Sequence, residues 1–212
     1  MKPEEELKAK VKEYLLKHNW EVKEEVPRAD CVGWEHPYRA DLLIHHRFWN
    51  SLGWIGIELK IFNGGKKLTE AFQQIISKYQ GNYFKNINKP VWCWFVVVDT
   101  LPDTTYFLDG VKNNSDYYTS SVRTIRTVMA KFGVGFMCFD KLNPWVGRDY
   151  NSRYNRLDFV QGNQGYSIHL EEEAMERYSN IEKIKKFVVG RTKWRKTINL
   201  KNIGPCFGDS HD

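Results

Sequence analysis

The nine residues WIGIELKIF, at positions 54–62, alternate between apolar side chains and side chains that are small or charged. A repeat of two residues is typical of a β-strand that turns one apolar face toward a core. Glu58 and Lys60 are two residues apart, so both side chains leave the opposite face of this strand. Gly56 lies on that face as well, and its lack of a side chain leaves room for another group to approach. The segment therefore predicts a strand with a carboxylate and an ammonium group side by side.

The segments on either side of this strand predict a mixed α/β fold. Apolar residues recur at helical spacing in residues 3–19, where Asn19 can end the helix, and in residues 67–83, where the stripe reaches Tyr83. The other predicted elements are strands at 20–24, 40–46, 91–98, 104–109 and 133–139, a helix at 119–132 and a last helix at 170–189. Residues 140–168 are predicted to be a loop. This order predicts a mixed β-sheet flanked by helices, with a loop and a helix appended.

The length and composition favour one globular domain with an appended segment. The chain has 212 residues, of which 42% are hydrophobic and 27% charged, enough to bury a core. We predict a core of residues 1–140 and a C-terminal extension of residues 141–212, whose basic helix and tail pack on the core. The sequence has no apolar run of the roughly 18 residues that a membrane span needs, and no apolar leader. We therefore expect an intracellular protein, in the cytoplasm of a host cell if it is viral, with no membrane partner.

The four cysteines do not indicate a zinc site. Cys31, Cys93, Cys138 and Cys206 lie far apart, without the close pairs that bind zinc. Cys93 and Cys138 lie in apolar strand-like segments, where a thiol behaves as a small hydrophobic group. We expect buried thiols, and a disulfide between two of them stays open.

Positive charge is concentrated near the C-terminus. Residues 177–201 contain nine basic residues and one acidic residue, a net charge of +8. The whole chain has a net charge of +6, so the other 187 residues carry a net −2. A local positive field suggests contact with a polyanion. The predicted nucleic-acid-binding residues are Lys183, Lys185, Lys186, Arg191, Lys193, Trp194, Arg195 and Lys196. The alternative is a solvated basic helix end and tail. A helix lying on a membrane surface is disfavoured because its apolar stripe is narrow.

Asp41 starts the apolar run of the strand predicted at 40–46. If this strand and the one at 54–62 form a hairpin, Asp41 comes close to Glu58. Two neighbouring carboxylates repel each other, and a divalent cation relieves that repulsion. Oxygen ligands suit Mg²⁺ or Mn²⁺ better than zinc. Lys60 could then orient an attacking water and neutralise the negative charge that develops on a phosphodiester.

This pattern, an aspartate, an intervening loop and then Glu-x-Lys on an apolar strand, resembles the PD-(D/E)XK nuclease superfamily over about residues 3–140. The resemblance implies a restriction-endonuclease-like core fold and Mg²⁺-dependent cleavage of DNA. It implies Asp41 and Glu58 as metal ligands and Lys60 as a base-like residue that orients water and stabilises charge. The size and the basic, aromatic-rich composition are similar to those of a nuclease of spindle-shaped archaeal viruses.

Three positions depart from the family pattern or match it in part. Ala40 stands before Asp41 where the family motif has a proline. The family often adds a glutamate from the first helix, and among Glu4, Glu5 and Glu6 only Glu4 falls near the apolar face, so Glu4 is preferred. Some branches carry a glutamine followed four residues later by a tyrosine on the helix after the Glu-x-Lys strand. The candidates are Gln74 and Tyr79, which are five residues apart.

Other interpretations of these residues stay open. A Glu-x-Lys pair on a strand is most often a solvated face, and the nuclease interpretation depends on its combination with Asp41. Asp30 competes with Asp41, since both follow the dipeptide Arg-Ala, but no strand follows Asp30. His45 and His46 point in opposite directions along a strand, so at most one could face the site, and both are better explained as strand-end residues.

Three classes of function follow. The first is an active DNA nuclease, in which an endonuclease acting on branched or junction DNA, resolvase-like and homodimeric, is favoured over an exonuclease because of the spacing from Gln74 to Tyr79. The second is a non-catalytic DNA-binding protein on the same fold. The third is a structural protein with an incidental charged strand face, which predicts that Asp41 and Glu58 lie far apart.

Overall fold

A computed structural model of the protein describes residues 2–31, 35–49, 53–62, 65–87, 89, 91–99, 124–125, 128–139, 156–161 and 164–178. Its helices and strands are α1 (Pro3–Lys17), β1 (Glu21–Pro27), β2 (Arg39–His45), β3 (Trp54–Lys60), α2 (Gly65–Gln74), a π-helix (Ile75–Tyr79), β4 (Val91–Val98), β5 (Val134–Cys138), β6 (Arg156–Gln161), β7 (Gln164–His169) and α3 (Glu172–Tyr178). Residues 124–125 and 128–131 are also helical. The mixed α/β class predicted from the sequence is confirmed.

The seven described strands form one sheet in the order in which they follow along the chain. Strands β1, β2 and β3 pair antiparallel, whereas β3, β4 and β5 pair parallel. Strands β6 and β7 then add to β5 as an antiparallel hairpin. Helix α2 connects two parallel neighbours, β3 and β4, as parallel pairing requires. The predicted hairpin of the strands that carry Asp41 and Glu58 is confirmed.

Both faces of the sheet are covered, which explains why β4 is apolar throughout. On one face, α1 packs its buried side chains against Ile55, Ile57 and Phe95. On the other face, α2 and the π-helix pack against Trp94 and Val96. The charged face of β3 predicted from its alternation is therefore the face that α2 covers.

Helix α1 ends where the sequence predicts it. The backbone N–H of His18 donates to the carbonyl of Leu15, and Asn19 follows with a φ of 61°. Asparagine tolerates this left-handed conformation better than most residues do, so it is a common helix terminator.

The helix predicted at 67–83 is shorter and changes its winding. Helix α2 ends at Gln74, and the next five residues form the π-helix, which ends at Tyr79. Gln80 is extended and Gly81 has a φ of 80°, so the chain leaves the helix before Tyr83. The Tyr83 residue is 79% exposed, and its assignment to the apolar stripe is therefore wrong.

The loop predicted at 140–168 is wrong for residues 156–161 and 164–168, which are strands. The pairing of Gln161 with Gln164 brackets the dipeptide Gly-Asn, a typical hairpin connection that the sequence carries. The indole Nε1–H of Trp20 donates to the carbonyl of Leu170 at 2.8 Å, joining this part of the chain to the α1 face. The division into residues 1–140 and 141–212 stays a prediction, although the described part of the second segment continues the same sheet.

Several predicted features lie outside the described residues. They are the edge strand at 104–109, much of the helix at 119–132, residues 179–189 of the last helix, the whole basic segment from Lys183 to Lys196, and Cys206. Cys31, Cys93 and Cys138 are buried free thiols, as predicted. No helix within the described ranges has the length and apolar character needed to cross a membrane.

Candidate active site

The antiparallel register of β2 and β3 brings Asp41 and Glu58 together. Leu42 pairs with Ile57, so Asp41, which precedes Leu42, lies beside Glu58, which follows Ile57. The backbone N–H of Leu59 donates to Asp41 Oδ2 at 2.7 Å, which fixes the carboxylate against β3. This proximity contradicts the third class of function, which required the two carboxylates to lie far apart.

Lys60 links three elements of this site. Its Nζ donates to Glu58 Oε1 at 2.6 Å and to Glu4 Oε1 at 3.2 Å. Glu4 belongs to the first turn of α1, so the end of that helix reaches the charged end of β3. The structure therefore brings the preferred first-helix glutamate to the cluster, through the lysine.

Burial dominates the electrostatics of the two carboxylates. Glu58 is 0% exposed, and its burial, followed by the repulsion from Asp41, raises its pKa to about 8 against the attraction of Lys60. Burial also raises the pKa of Asp41, although the Leu59 N–H and Lys60 oppose the shift. Both carboxyl groups therefore hold protons more tightly than usual when the protein alone surrounds them.

The pKa of Lys60 is raised although its side chain is largely buried. Burial lowers its pKa, but Glu58, Asp41 and Glu4 together outweigh that effect and leave the pKa raised above its usual value. The ammonium form is therefore favoured at neutral pH. In this environment Lys60 can donate hydrogen bonds and neutralise charge, whereas the base-like role implied by the resemblance needs its neutral form, which the raised pKa disfavours.

One oxygen of the site has no partner. Glu58 Oε2 is buried and makes no hydrogen bond to any described residue. An unpaired buried carboxyl oxygen is costly, and a cation shared with Asp41 would satisfy it once the proton of Glu58 is released. Across the described ranges, no group of three histidine, cysteine, aspartate or glutamate side chains converges to hold a metal. Two neighbouring carboxylates suit Mg²⁺, which is usually bound through one or two carboxylates and keeps several waters.

Gln74 and Tyr79 contact each other across the π-helix. The Gln74 side-chain N–H donates to the Tyr79 hydroxyl at 2.5 Å, and that hydroxyl donates to the Arg39 carbonyl at 2.7 Å. Burial and then the nearby charge of Glu58 raise the pKa of Tyr79, so the phenol stays protonated. Tyr79 therefore lies at the edge of the carboxylate cluster and links Gln74 of α2 to Arg39 of β2.

The room predicted beside Gly56 is occupied by a side chain of the protein itself. A Cβ at this position would lie 2.2 Å from Trp94 Cε3. The Trp94 ring stacks in turn on Tyr79, with ring centroids 5.0 Å apart. The expectation that Gly56 admits an outside group is wrong, because the glycine instead admits the tryptophan that supports Tyr79.

The competing residues lie elsewhere. Asp30 is exposed and accepts from Arg28 Nε at 2.8 Å. His45 Nδ1 lies 3.0 Å from the Gly53 carbonyl, and the His46 ring packs against Trp20. The preference for Asp41 over Asp30 as the neighbour of Glu58 therefore agrees with the structure.

Comparisons with protein-family models, with curated proteins and with solved structures found no match.

Proposed function

We propose that this protein is a metal-dependent nuclease that hydrolyses DNA phosphodiester bonds, with Asp41, Glu58 and Lys60 as its active site on a restriction-endonuclease-like core. The single observation that carries the proposal is the pair of neighbouring carboxylates beside Lys60, which is held in its charged form. Asp41 is half-buried and Glu58 is fully buried, and Glu58 Oε2 has no hydrogen-bond partner among the described residues. The order of α1, the β1–β3 meander, α2 and β4 is consistent with that core.

Asp41 and Glu58 would hold a divalent cation, Mg²⁺ or Mn²⁺. Such a cation supplies an activated water and stabilises negative charge on the phosphate. The Leu59 N–H holds the Asp41 carboxylate against β3, next to Glu58, which supports the proposal that the two residues share an ion. Glu58 must lose its proton on binding because its pKa is raised to about 8.

Lys60 would act as a donor throughout the reaction. Its ammonium group can orient a water molecule or contact a phosphate oxygen, and it stabilises the charge that develops in the transition state. Glu4 holds the outer side of the ammonium, at 3.2 Å, and so limits where the ammonium can point. The Gln74 amide and the protonated Tyr79 phenol are both neutral, and they lie next to the carboxylates.

The finer parts of this proposal concern the substrate and the assembly. Branched or junction DNA, an endonuclease mode and a homodimer come from the resemblance in the sequence. The spacing from Gln74 to Tyr79 favoured an endonuclease, but their contact across the π-helix removes that reason. Endonuclease and exonuclease modes are therefore left to the cleavage assay.

The decisive experiment incubates the protein with four-way branched, linear duplex and single-stranded DNA in Mg²⁺, Mn²⁺ or EDTA. We expect cutting with either metal, none in EDTA, and a loss of about a hundredfold or more in Asp41→Asn and Lys60→Ala. The matched control is Asp30→Asn, which changes the same tripeptide Arg-Ala-Asp and should cut normally. Metal-dependent cutting that survives Asp41→Asn would refute the site.

The second function, a non-catalytic DNA-binding protein, gives a different result in the same assay. The contact between Lys60 and Glu58 favours it, because the ammonium already occupies Glu58 Oε1, one of the oxygens that a cation would use. It predicts no cutting under any condition, together with DNA binding that weakens steeply with salt.

A further inference from the structure

A cavity of about 590 Å³ opens at the start of β3, at the other end of this strand from Glu58. It is lined by Glu21, Lys23, His45, Trp54, Asn86, Ile87 and Lys89. Two lysines face one glutamate, so the lining carries a net positive charge. The cavity lies apart from the residues assigned to catalysis.

The strand residues of this cavity lie on the same sheet face as the carboxylates. His45 is four residues after Asp41 in β2, and Trp54 is four residues before Glu58 in β3. An even number of steps along a strand returns to the same face, and four residues span about 13 Å. The cavity and the carboxylates therefore lie about 13 Å apart on one sheet face, with Trp94 packed between them beside Gly56.

Trp54 provides the strongest sign of a ligand. The residue is 3% exposed, and its indole Nε1–H has no hydrogen-bond partner among the described residues. A buried N–H without a partner costs about 1–3 kcal/mol, so such groups are rare without a water or a ligand. The indole N–H can only donate, and the ligand must therefore present an acceptor.

Lys23 is held in position beside this indole. Its ammonium lies 5.0 Å from the centroid of the Trp54 ring and donates to the Asn86 carbonyl at 2.8 Å. Asn86 has a φ of 60°, so its backbone conformation is unusual for a residue other than glycine. Glu21 lies 4.0 Å from Lys23 on the exposed rim, a separation at which it neutralises the ammonium only weakly.

We propose that this cavity binds a phosphate group of the nucleic-acid backbone, with the Trp54 N–H and the ammonium groups of Lys23 and Lys89 as donors. A phosphate offers only acceptor oxygens and a negative charge, which match a lone donor and two cations. The identity of the polyanion as DNA rests on the proposed function. The site itself rests on the lining residues and on the unpartnered indole.

The direct test follows the indole N–H resonance of Trp54 in nitrogen-15-labelled protein by NMR, in EDTA so that no cutting occurs. The Trp54→Phe variant identifies the resonance. The probes are inorganic phosphate and a short single-stranded oligonucleotide, added separately. We expect the resonance to shift with both. No shift with either probe, or a shift with inorganic phosphate alone, overturns the proposal.

Charge substitutions test the same site by affinity. In EDTA, Lys23→Gln and Lys89→Gln should each weaken oligonucleotide binding and lower the slope of log affinity against log salt by about 0.7 for a single strand. Glu21→Gln should strengthen binding. The matched control is Lys17→Gln at the exposed end of α1, which should leave the slope unchanged. An equal drop in slope for Lys17→Gln overturns the proposal, since general surface charge would then explain the effect.

The two proposals fail separately. A protein that never cuts DNA but shifts its Trp54 resonance with an oligonucleotide refutes the nuclease and keeps the cavity. A protein that cuts in an Asp41-dependent way, with Trp54 unaffected by an oligonucleotide, refutes the cavity and keeps the nuclease.

Discussion

Gln74 and Tyr79 are five residues apart, yet the amide of one donates to the hydroxyl of the other at 2.5 Å. In an α-helix, residues that meet on one face are three or four apart. The five residues from Ile75 to Tyr79 form a π-helix, whose hydrogen bonds join residues five apart. The wider turn thus brings Tyr79, which follows Gln74 by five residues instead of four, onto the same helix face, beside the carboxylates.

Removing the Tyr79 hydroxyl should destabilise the protein. In Tyr79→Phe, the Arg39 carbonyl loses its donor and the Gln74 amide loses its acceptor, so we expect a loss of about 1–3 kcal/mol in the free energy of unfolding. Urea denaturation measures this loss. The control is Tyr83→Phe, which removes a hydroxyl from an exposed residue and should change stability by less than about 0.5 kcal/mol. Equal effects of the two substitutions would contradict the role assigned to Tyr79.

A methyl group at position 56 should disrupt the support of the site. The added Cβ would overlap the Trp94 ring at 2.2 Å, so Gly56→Ala should cost about 3 kcal/mol or more in the free energy of unfolding. Gly81→Ala is the comparison, because Gly81 has open space around it and should cost only about 1–2 kcal/mol for its positive φ.

The overlap at Gly56 can be tested by making room for it. Adding Trp94→Leu to Gly56→Ala should recover part of the lost stability, measured by the same urea denaturation. A double variant that is less stable than the sum of the two single losses would show that Trp94 is not the obstacle.

Without metal, stability should fall as pH rises through the neutral range. The pKa of Glu58 is about 8 in the folded protein and 4.5 as its ordinary value, so the folded state keeps a proton that the unfolded state has released. The contribution is complete below about pH 4.5 and is lost as pH rises through about 8. Urea denaturation in EDTA at about pH 5 and about pH 9 measures it. Glu58→Gln should flatten the profile, and a wild-type stability that rises over this window would contradict the raised pKa.

Divalent metal should stabilise the folded protein through the same carboxylates. At a Mn²⁺ concentration about a hundred times the dissociation constant, the gain is about 2.7 kcal/mol, seen as a higher melting temperature. Because Glu58 must release its proton, the gain should grow as pH rises.

Variants separate this effect from general ion binding. Asp41→Asn and Glu58→Gln should abolish the rise in melting temperature caused by Mn²⁺, whereas Asp30→Asn should retain it. A rise that persists in Asp41→Asn would place the metal elsewhere.

A chain shortened to residues 1–140 should not fold as a stable unit. Leu157 and Ile168 are fully buried in the core on the α1 face, and Trp20 donates to the Leu170 carbonyl. Their removal leaves β5 as an uncovered edge, so we expect aggregation and no cooperative thermal transition. A chain of residues 1–178 keeps these contacts and is the matched comparison. Cooperative folding of residues 1–140 would support the boundary predicted from the sequence.

The sequence by itself determined the features that depend on neighbours along the chain. The alternation around Glu58 and Lys60 places their side chains on one face, because strand geometry is local. The apolar stripe of α1 and its end at Asn19 follow from helical periodicity and from backbone preferences in the same way. These local signals were enough to give the order of the first elements and the mixed α/β class.

Only the tertiary structure decided what depends on packing between distant residues. The register of β2 and β3 shows that Asp41, and not Asp30, neighbours Glu58, and the π-helix brings Tyr79 to Gln74. Both depend on contacts between elements that no local pattern specifies. The space beside Gly56 was filled by Trp94, a residue 38 positions later, which no local pattern reveals. The antiparallel pairing of β6 with β5 also joins segments that are distant along the chain, so no local pattern predicts where the β6–β7 hairpin lies in the sheet.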